Sequence, residues 1–269
     1  MTDRTPPLEA VGAWMLAALW LAPILFALWA AIHPPEYLTS FDPLAPLTTG
    51  NFERAFAAAP FGRYMLNTAL LVTGVIAAQF VLCTLAAYAF ARWTFPGSGL
   101  LFALVLVQLM VAPEILMVQN YATVSRLGLL DSLAGVAIPY LGSALGVFLL
   151  RQTFRQVPKE LEEAAVIEGA GPLTVLWRVY VPLARPVYVA YGLVMASFHW
   201  NNFLWPLVVT SSVTTRPVTV GLQVFASVDQ GIDWAVISAA ALATSAPLLI
   251  GFLLFQRAFV QSFMRAGIR

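Results

Sequence analysis

Between Pro158 and Pro172 the chain reads Pro-Lys-Glu-Leu-Glu-Glu-Ala-Ala-Val-Ile-Glu-Gly-Ala-Gly-Pro, which holds four of its thirteen acidic residues and its only lysine. Pro158 suits a first helical turn, where the positive helix end favours Glu160, Glu162 and Glu163. Gly169 and Gly171 end that helix, and Pro172 opens the next. Leu161, Ala164, Ala165 and Glu168 fall near one face by three- and four-residue spacing. The alanines leave little bulk, so another protein can approach closely, and Glu163 offers a carboxylate to an arginine or a helix terminus. The chemistry is that of docking. A helix lying on lipid headgroups is the alternative, but such helices are usually rich in Lys and Arg, not in acids.

A second constellation is His199-Trp200-Asn201-Asn202-Phe203-Leu204-Trp205-Pro206, which sets amides and aromatic faces inside an apolar run. Amides bond hydroxyls and aromatic faces stack on sugar rings, so His199, Asn201, Asn202 and Trp205, with Asn67 and Gln108, are candidates for lining a path for polyols. Bonding between neighbouring helices is the plainer use of Asn and His in a membrane, and Trp often marks its interface. His199 can sense a solute or pair with another helix; both readings stand. Gln79, Gln119 and Asn120 are weaker candidates. Pro113-Glu114 can form part of an outer gate or simply an exposed helix end. Met110, Met117 and Met195 read as packing residues. Cys83, the one cysteine, lies in an apolar run, which excludes an intrachain disulfide and a cysteine metal site. A phosphate-binding Walker loop needs Gly-x-x-x-x-Gly-Lys-Ser/Thr, and the only lysine is followed by Glu160, so this chain cannot hydrolyse ATP through such a loop, and any energy it uses comes from a partner or an ion gradient.

The elements that carry these residues are apolar. Sixty percent of residues are hydrophobic, 10% are charged, and mean hydropathy is +0.82, where soluble domains carry about 25% charge. The composition is that of an integral membrane protein, and a net charge of +1 gives no argument for nucleic acid. Six runs are long enough to span: Val11–Ile32, Tyr64–Ala91, Gly97–Pro113 (extended by 115–124), Ser132–Leu150, Pro186–Val209 and Trp234–Gln256. Val11–Ile32 exceeds a signal-peptide core and reads as a retained helix. Continuous apolar runs without alternation predict helices, not a barrel. With the N-terminus inside, Arg4, Arg92, Arg151, Arg155, Lys159, Arg178, Arg185, Arg257, Arg265 and Arg269 are cytoplasmic, against Arg54, Arg63, Arg126 and Arg216 outside. This satisfies the positive-inside tendency and puts both termini and the acidic helix in the cytoplasm. The outer loops are residues 33–63 and 210–233; the second can reach an outside partner or be a plain connection. The expected organisation is 1–61, an N-terminal segment with the first helix and outer loop; 62–257, a membrane domain; and 258–269, a cytoplasmic tail.

The string Glu163-Ala164-Ala165, three residues, Gly169, nine residues, then Val179-Tyr180-Val181-Pro182 resembles the signature of the inner-membrane permeases of binding-protein-dependent ABC importers. The similarity extends to Asn67, to Ala86-Ala87-Tyr88-Ala89 with Phe95-Pro96-Gly97, to Phe148-Leu149-Leu150-Arg151-Gln152 and to residues 200–207. It covers the chain from about Asn51 onward and is closest to the second permease subunit of the maltose-permease-like carbohydrate branch, which includes a glycerol 3-phosphate permease. The resemblance implies an all-α polytopic membrane protein of the type I ABC importer permease fold, with six transmembrane helices. It also implies a coupling helix that inserts into a cleft on a cytoplasmic ATPase. Carried over, Glu163, Ala164, Ala165, Glu168, Gly169, Ala170 and Pro182 are the ATPase-coupling residues. The implied partners are a homologous permease subunit in a heterodimer, two ATPase subunits holding ATP and Mg, an extracytoplasmic solute-binding protein and membrane lipid. The implied location is the bacterial inner membrane, and this chain itself performs no covalent chemistry. Two positions depart: Glu168 stands where the family usually has Asp, and Arg265-Ala266-Gly267-Ile268-Arg269 replaces the usual Lys-Gly ending. An ion-coupled secondary transporter subunit is the rival reading. The spans offer it only His199 and Glu114 as ionisable groups, although backbone-coordinated sodium needs neither. A membrane scaffold is a third class, which the coupling signature opposes. Sugar, oligosaccharide, polyol and glycerol-phosphate solutes all stay open.

Overall fold

The computed structural model describes residues 7–40, 42, 44–226 and 233–267, and among them all regular structure is helical. The chain groups into two compact units, 1–63 with 221–247 and 64–220 with 248–269. The first contains α1 (Pro7–Ile32) and α2 (Gly50–Ala58). The last carbonyls of any helix lack partners within it. Here the Asn51 amide on α2 supplies donors to the carbonyls of Ala30, Ala31 and His33 at 3.2, 3.0 and 2.7 Å. Arg54 donates to Asn51 Oδ1 at 2.6 Å and pairs with Asp233 at 2.7 Å. The sides of α1 expose Trp14, Leu19 and Trp20, apolar surface suited to lipid.

The second unit is built along α3 (Phe61–Arg92), whose 32 residues measure about 48 Å at 1.5 Å per residue. Next come α4 (Ser98–Val107) and α5 (Met117–Arg126), then α6 (Leu133–Ala137) and α7 (Ala144–Gln156). They are followed by α8 (Lys159–Ile167), α9 (Pro172–Val175), a π-helical turn at Leu176–Tyr180, α10 (Val181–Leu183) and α11 (Arg185–Trp200). The remaining helices are α12 (Leu204–Val209), α13 (Val218–Gly221) and α14 (Trp234–Gly267). Glycine at 146 permits close helix packing: a Cβ there would lie 2.9 Å from Cys83 Sγ and from the Tyr191 ring, so α3, α7 and α11 meet closely. Cys83 is buried at this contact.

Three single helices are long and apolar enough to cross a membrane: Ala10–Ile32, Phe61–Arg92 and Trp234–Gln256. Three further candidates are bent pairs: Ser98–Met110 with Pro113–Arg126 at 97°, Leu133–Tyr140 with Ala144–Gln156 at 47°, and Pro172–Leu183 with Arg185–Trp200 at 75°. The first break has a simple cause: Ala112, held extended (ψ 135°) ahead of Pro113, cannot continue the helix. At the second, Ser143 caps α7 by accepting from the Gly146 amide at 3.2 Å. The expected continuous span Pro186–Val209 is corrected in the same way, because 201–203 separates α11 from α12.

Hydrogen bonds place the ends of the bent pairs along α3. At the start of α3, Asn67 and Thr68 hold the loop at 214–218. That loop adjoins Ser211 and Ser212, whose amides bond Asp131. At the far end, Arg92 bonds the Val157 carbonyl and pairs with Glu162. The pairs α4–α5 and α6–α7 therefore each connect one end to the other, while α9–α11 runs from the Arg92 end to Gln79, midway along α3, where His199 bonds it. Of the C-terminal tail, Ile268 and Arg269 lie outside the described residues, as do all side chains from Arg257 onward.

Candidate functional site

The acidic helix forms as its sequence predicts, with one refinement: Pro158 is the cap before α8 and not its first turn. Gly169 adopts a left-handed φ of 84°, which turns the chain toward α9. No residue of α8 is buried. Glu163, Ala164 and Glu168 are exposed, as are Leu161, Val166 and Ile167, the last at 86%. Ala165 and Ala170 differ, because they pack on the buried cluster around Phe154, Leu176 and Tyr180. Pro182 lies in α10, directly after the π turn. The expected face of Leu161, Ala164, Ala165 and Glu168 is therefore split, with Ala165 turned inward. What remains outside is an apolar ridge edged by carboxylates, free of ion pairs among the described residues except at Glu162.

Beneath it lies a cluster that the sequence did not reveal. Glu162 Oε2 accepts from the Tyr180 hydroxyl at 2.6 Å and pairs with Arg92 Nε at 3.1 Å. Arg92 also donates to Tyr180 Oη, bonds the Val157 carbonyl at 2.9 Å and lies 4.9 Å over the Tyr180 ring. Tyr88 and Phe154 stand edge-on to that ring. The Arg92 side chain is 8% exposed. In sequence, Arg92 is one of several inner-side charges and Glu162 one of four acids; only their meeting across 70 residues sets them apart.

Four of the six residues expected to line a path surround one cavity. It measures about 280 Å³ and is lined by Gln108, His199, Asn202 and Trp205, with Gln79, Asn120 and Glu114 also on its wall. At its buried end, Gln79 Nε2 donates to the Tyr140 carbonyl at 2.7 Å and faces His199 Nε2 at 3.2 Å, while Tyr191 donates to Gln79 Oε1 at 2.9 Å. Gln79 Nε2 can only donate, so His199 accepts at Nε2 and carries its proton on Nδ1. His199 thus joins α11 to α3, as the helix-pairing reading has it, and also lines the cavity. Among the described residues, Glu114 is the only carboxylate on the wall, and neither Lys nor Arg lines it. Asn67 is absent from the cavity: buried, it gives its amide hydrogens to the carbonyls of Thr214 and Arg216 at 2.8 and 3.0 Å. Asn201 is absent too, exposed and bonded back to the Ser197 carbonyl at 2.8 Å.

At the opposite end of α3 from the acidic helix, Asp131 sits at a positive φ of 52°. It accepts from the amides of Ser212 and Ser211 at 2.9 Å each and from Thr215 Oγ1 at 2.5 Å. The Ser212 amide first, then the Thr215 hydroxyl, hold its carboxyl far below the usual carboxylate range. Among the described residues no group of three or more His, Cys, Asp or Glu is placed to hold a metal ion.

A family profile described as the binding-protein-dependent transport system inner membrane component matches residues 85–265, which include α8, the Arg92 cluster and the cavity wall except Gln79. The chain is 32% identical to the sn-glycerol-3-phosphate transport system permease protein UgpE of Pectobacterium atrosepticum over 203 residues, covering 75% of this chain and 72% of that one. It is likewise 32% identical to UgpE of Yersinia pestis bv. Antiqua over 205 residues, with 76% and 73% covered. In fold it is similar to a chain from the crystal structure of a bacterial ABC transporter involved in the import of the acidic polysaccharide alginate. The TM-score is 0.84 at 22% identity, over 94% of this chain and 95% of that one. A chain of the bacterial alginate ABC transporter in complex with alginate pentasaccharide-bound periplasmic protein matches at a TM-score of 0.68 and 13% identity, with 94% and 95% covered.

Proposed function

The chain belongs to the family of binding-protein-dependent transport system inner membrane components, and from that premise we propose that it forms half of the solute pathway of an ATP-driven importer. The observation that carries this reading is α8: a helix with no buried residue, held at the end of a spanning helix, that presents apolar side chains and free carboxylates. An element of that kind needs a protein partner, and one that docks there can move it. The proposed partners are two ATPase subunits, which hold ATP and Mg, a homologous permease that completes the pathway as a heterodimer, and an extracytoplasmic solute-binding protein. Glu163, Ala164, Glu168 and Gly169 form the docking surface, while Ala165, Ala170 and Pro182 seat it. The charge asymmetry of the loops puts α8 and both chain ends in the cytoplasm.

The solute is a sugar, a polyol or a glycerol-phosphate-type compound. The cavity supports this class, since side-chain amides and the aromatic faces of Tyr140, Phe198 and Trp205 match hydroxyls and ring carbons. A phosphate group would find its cation outside this wall, on the other half of the pathway. Mechanism follows as alternating access: ATP-driven closure of the ATPase pair moves α8, and the packed helices tilt to open the cavity outward. The experiment uses the full complex in liposomes with ion gradients clamped. Uptake of solute delivered by the binding protein stops when ATP is withdrawn; uptake that continues on an imposed ion gradient without ATP overturns the reading in favour of an ion-coupled carrier.

A further inference from the structure

If an outside partner moves α8, something must carry that movement into the membrane, and the contacts narrow what can do so. Among the described residues, Glu162 is the only α8 side chain that makes a hydrogen bond or an ion pair. We propose that Arg92, Glu162 and Tyr180 form the linkage through which displacement of α8 reaches α3 and the bent segment α9–α11. This rests on the importer reading above and adds the residues that transmit the stroke.

The geometry favours transmission over mere surface pairing. Exposed ion pairs contribute little because water competes for them. Here the Arg92 side chain is 8% exposed and Tyr180 is fully buried; Arg92 pairs with the Glu162 carboxylate and donates to Tyr180, whose hydroxyl donates to that same carboxylate. Pulling Glu162 away would strand a buried guanidinium, so the three groups move together. Arg92 is the last residue of α3, a single rigid helix. Thirteen residues back along it, about 20 Å at 1.5 Å per residue, Gln79 bonds His199 on the cavity wall. Tyr180 closes the π-helical turn, which is followed within a few residues by the 75° bend before Arg185. Turns of this kind recur where a helix must change register or hinge. One carboxylate on the docking helix is thus tied to a rod that reaches the cavity and to a hinge that leads into α11, which also lines it.

The test separates transmission from docking. The complete complex, reconstituted with its ATPase and binding protein, carries Met195→Cys on the cavity wall, where a small water-soluble methanethiosulfonate reports accessibility; the native Cys83 is buried. In the parent complex the labelling rate changes on addition of ATP and vanadate. Glu162→Gln and Tyr180→Phe keep size and shape, and each is expected to reduce that ATP-linked change about tenfold, the effect of losing one hydrogen bond to a charged group. ATP hydrolysis continues in both. A variant that retains the full ATP-linked change overturns the proposal. So does one that loses hydrolysis along with the change, because the cluster would then serve assembly. If the parent complex itself shows no ATP-linked change, it is the importer reading that fails.

Discussion

At Gly169 the backbone, not the space around it, sets the requirement. Its φ of 84° lies in the left-handed region, while a Cβ built there meets no atom within 4 Å. Most side chains pay about 1–2 kcal/mol for that conformation, and Asn pays less. Gly169→Asn is therefore expected to keep most of the ATP hydrolysis stimulated by the binding protein, and Gly169→Val to lose it about tenfold. Equal loss in the two would place the requirement in bulk inside the partner's cleft. Residue type alone made this turn legible, since two glycines and a proline follow an acidic helix. Arg92, Glu162 and Tyr180 were not legible that way. Their roles come from a meeting of three distant segments, and no local pattern encodes it. Asn67 shows the converse: an amide in an apolar run looks like a path residue until its loop partners at 214 and 216 are seen.

Among the elements, hydropathy located the three single-helix spans and two of the three bent pairs, but not the shapes of the pairs. An apolar run looks the same whether a helix passes straight through it or breaks within it. The first break was foreshadowed by Pro113, whereas at 141–143 the next helix starts on the Ser143 side-chain cap, which hydropathy does not record. The Asp131 contacts are of the same kind: one carboxylate joins the connection between α5 and α6 to the loop after α12. Its native carboxyl is held far below its unfolded value, so its stabilisation is complete above about pH 4, where the unfolded carboxylate is ionised, and fades as pH falls from there. Amide exchange at Ser211 and Ser212 is expected to be slow at pH 6 and to rise, relative to the intrinsic rate, below about pH 4. Asp131→Asn should show fast exchange at both pH values; unchanged protection in that variant would remove Asp131 from control of the loop.

For the molecule as a whole, the question the bent pairs raise is how many times the chain crosses the membrane. A helix pair folded by 97° can cross once or return to the side it came from. Within the second unit the contacts favour crossing: the residues before α4 adjoin Arg92 at one end of α3, and Asp131, just after α5, is bonded to the loop held at the other end. If that is so, Thr94 and Leu127 face opposite aqueous phases. Both are exposed, and the native Cys83 is buried and contributes little background. In intact cells a membrane-impermeant maleimide is expected to label Leu127→Cys but not Thr94→Cys, and inverted vesicles should reverse the pattern. Labelling of both from one side would make the α4–α5 pair re-entrant and change the number of crossings. The inverse pattern would keep the crossing but place α8 outside, where an ATPase cannot reach it, so this one pair of cysteines tests both the path of the chain and the side from which it is driven.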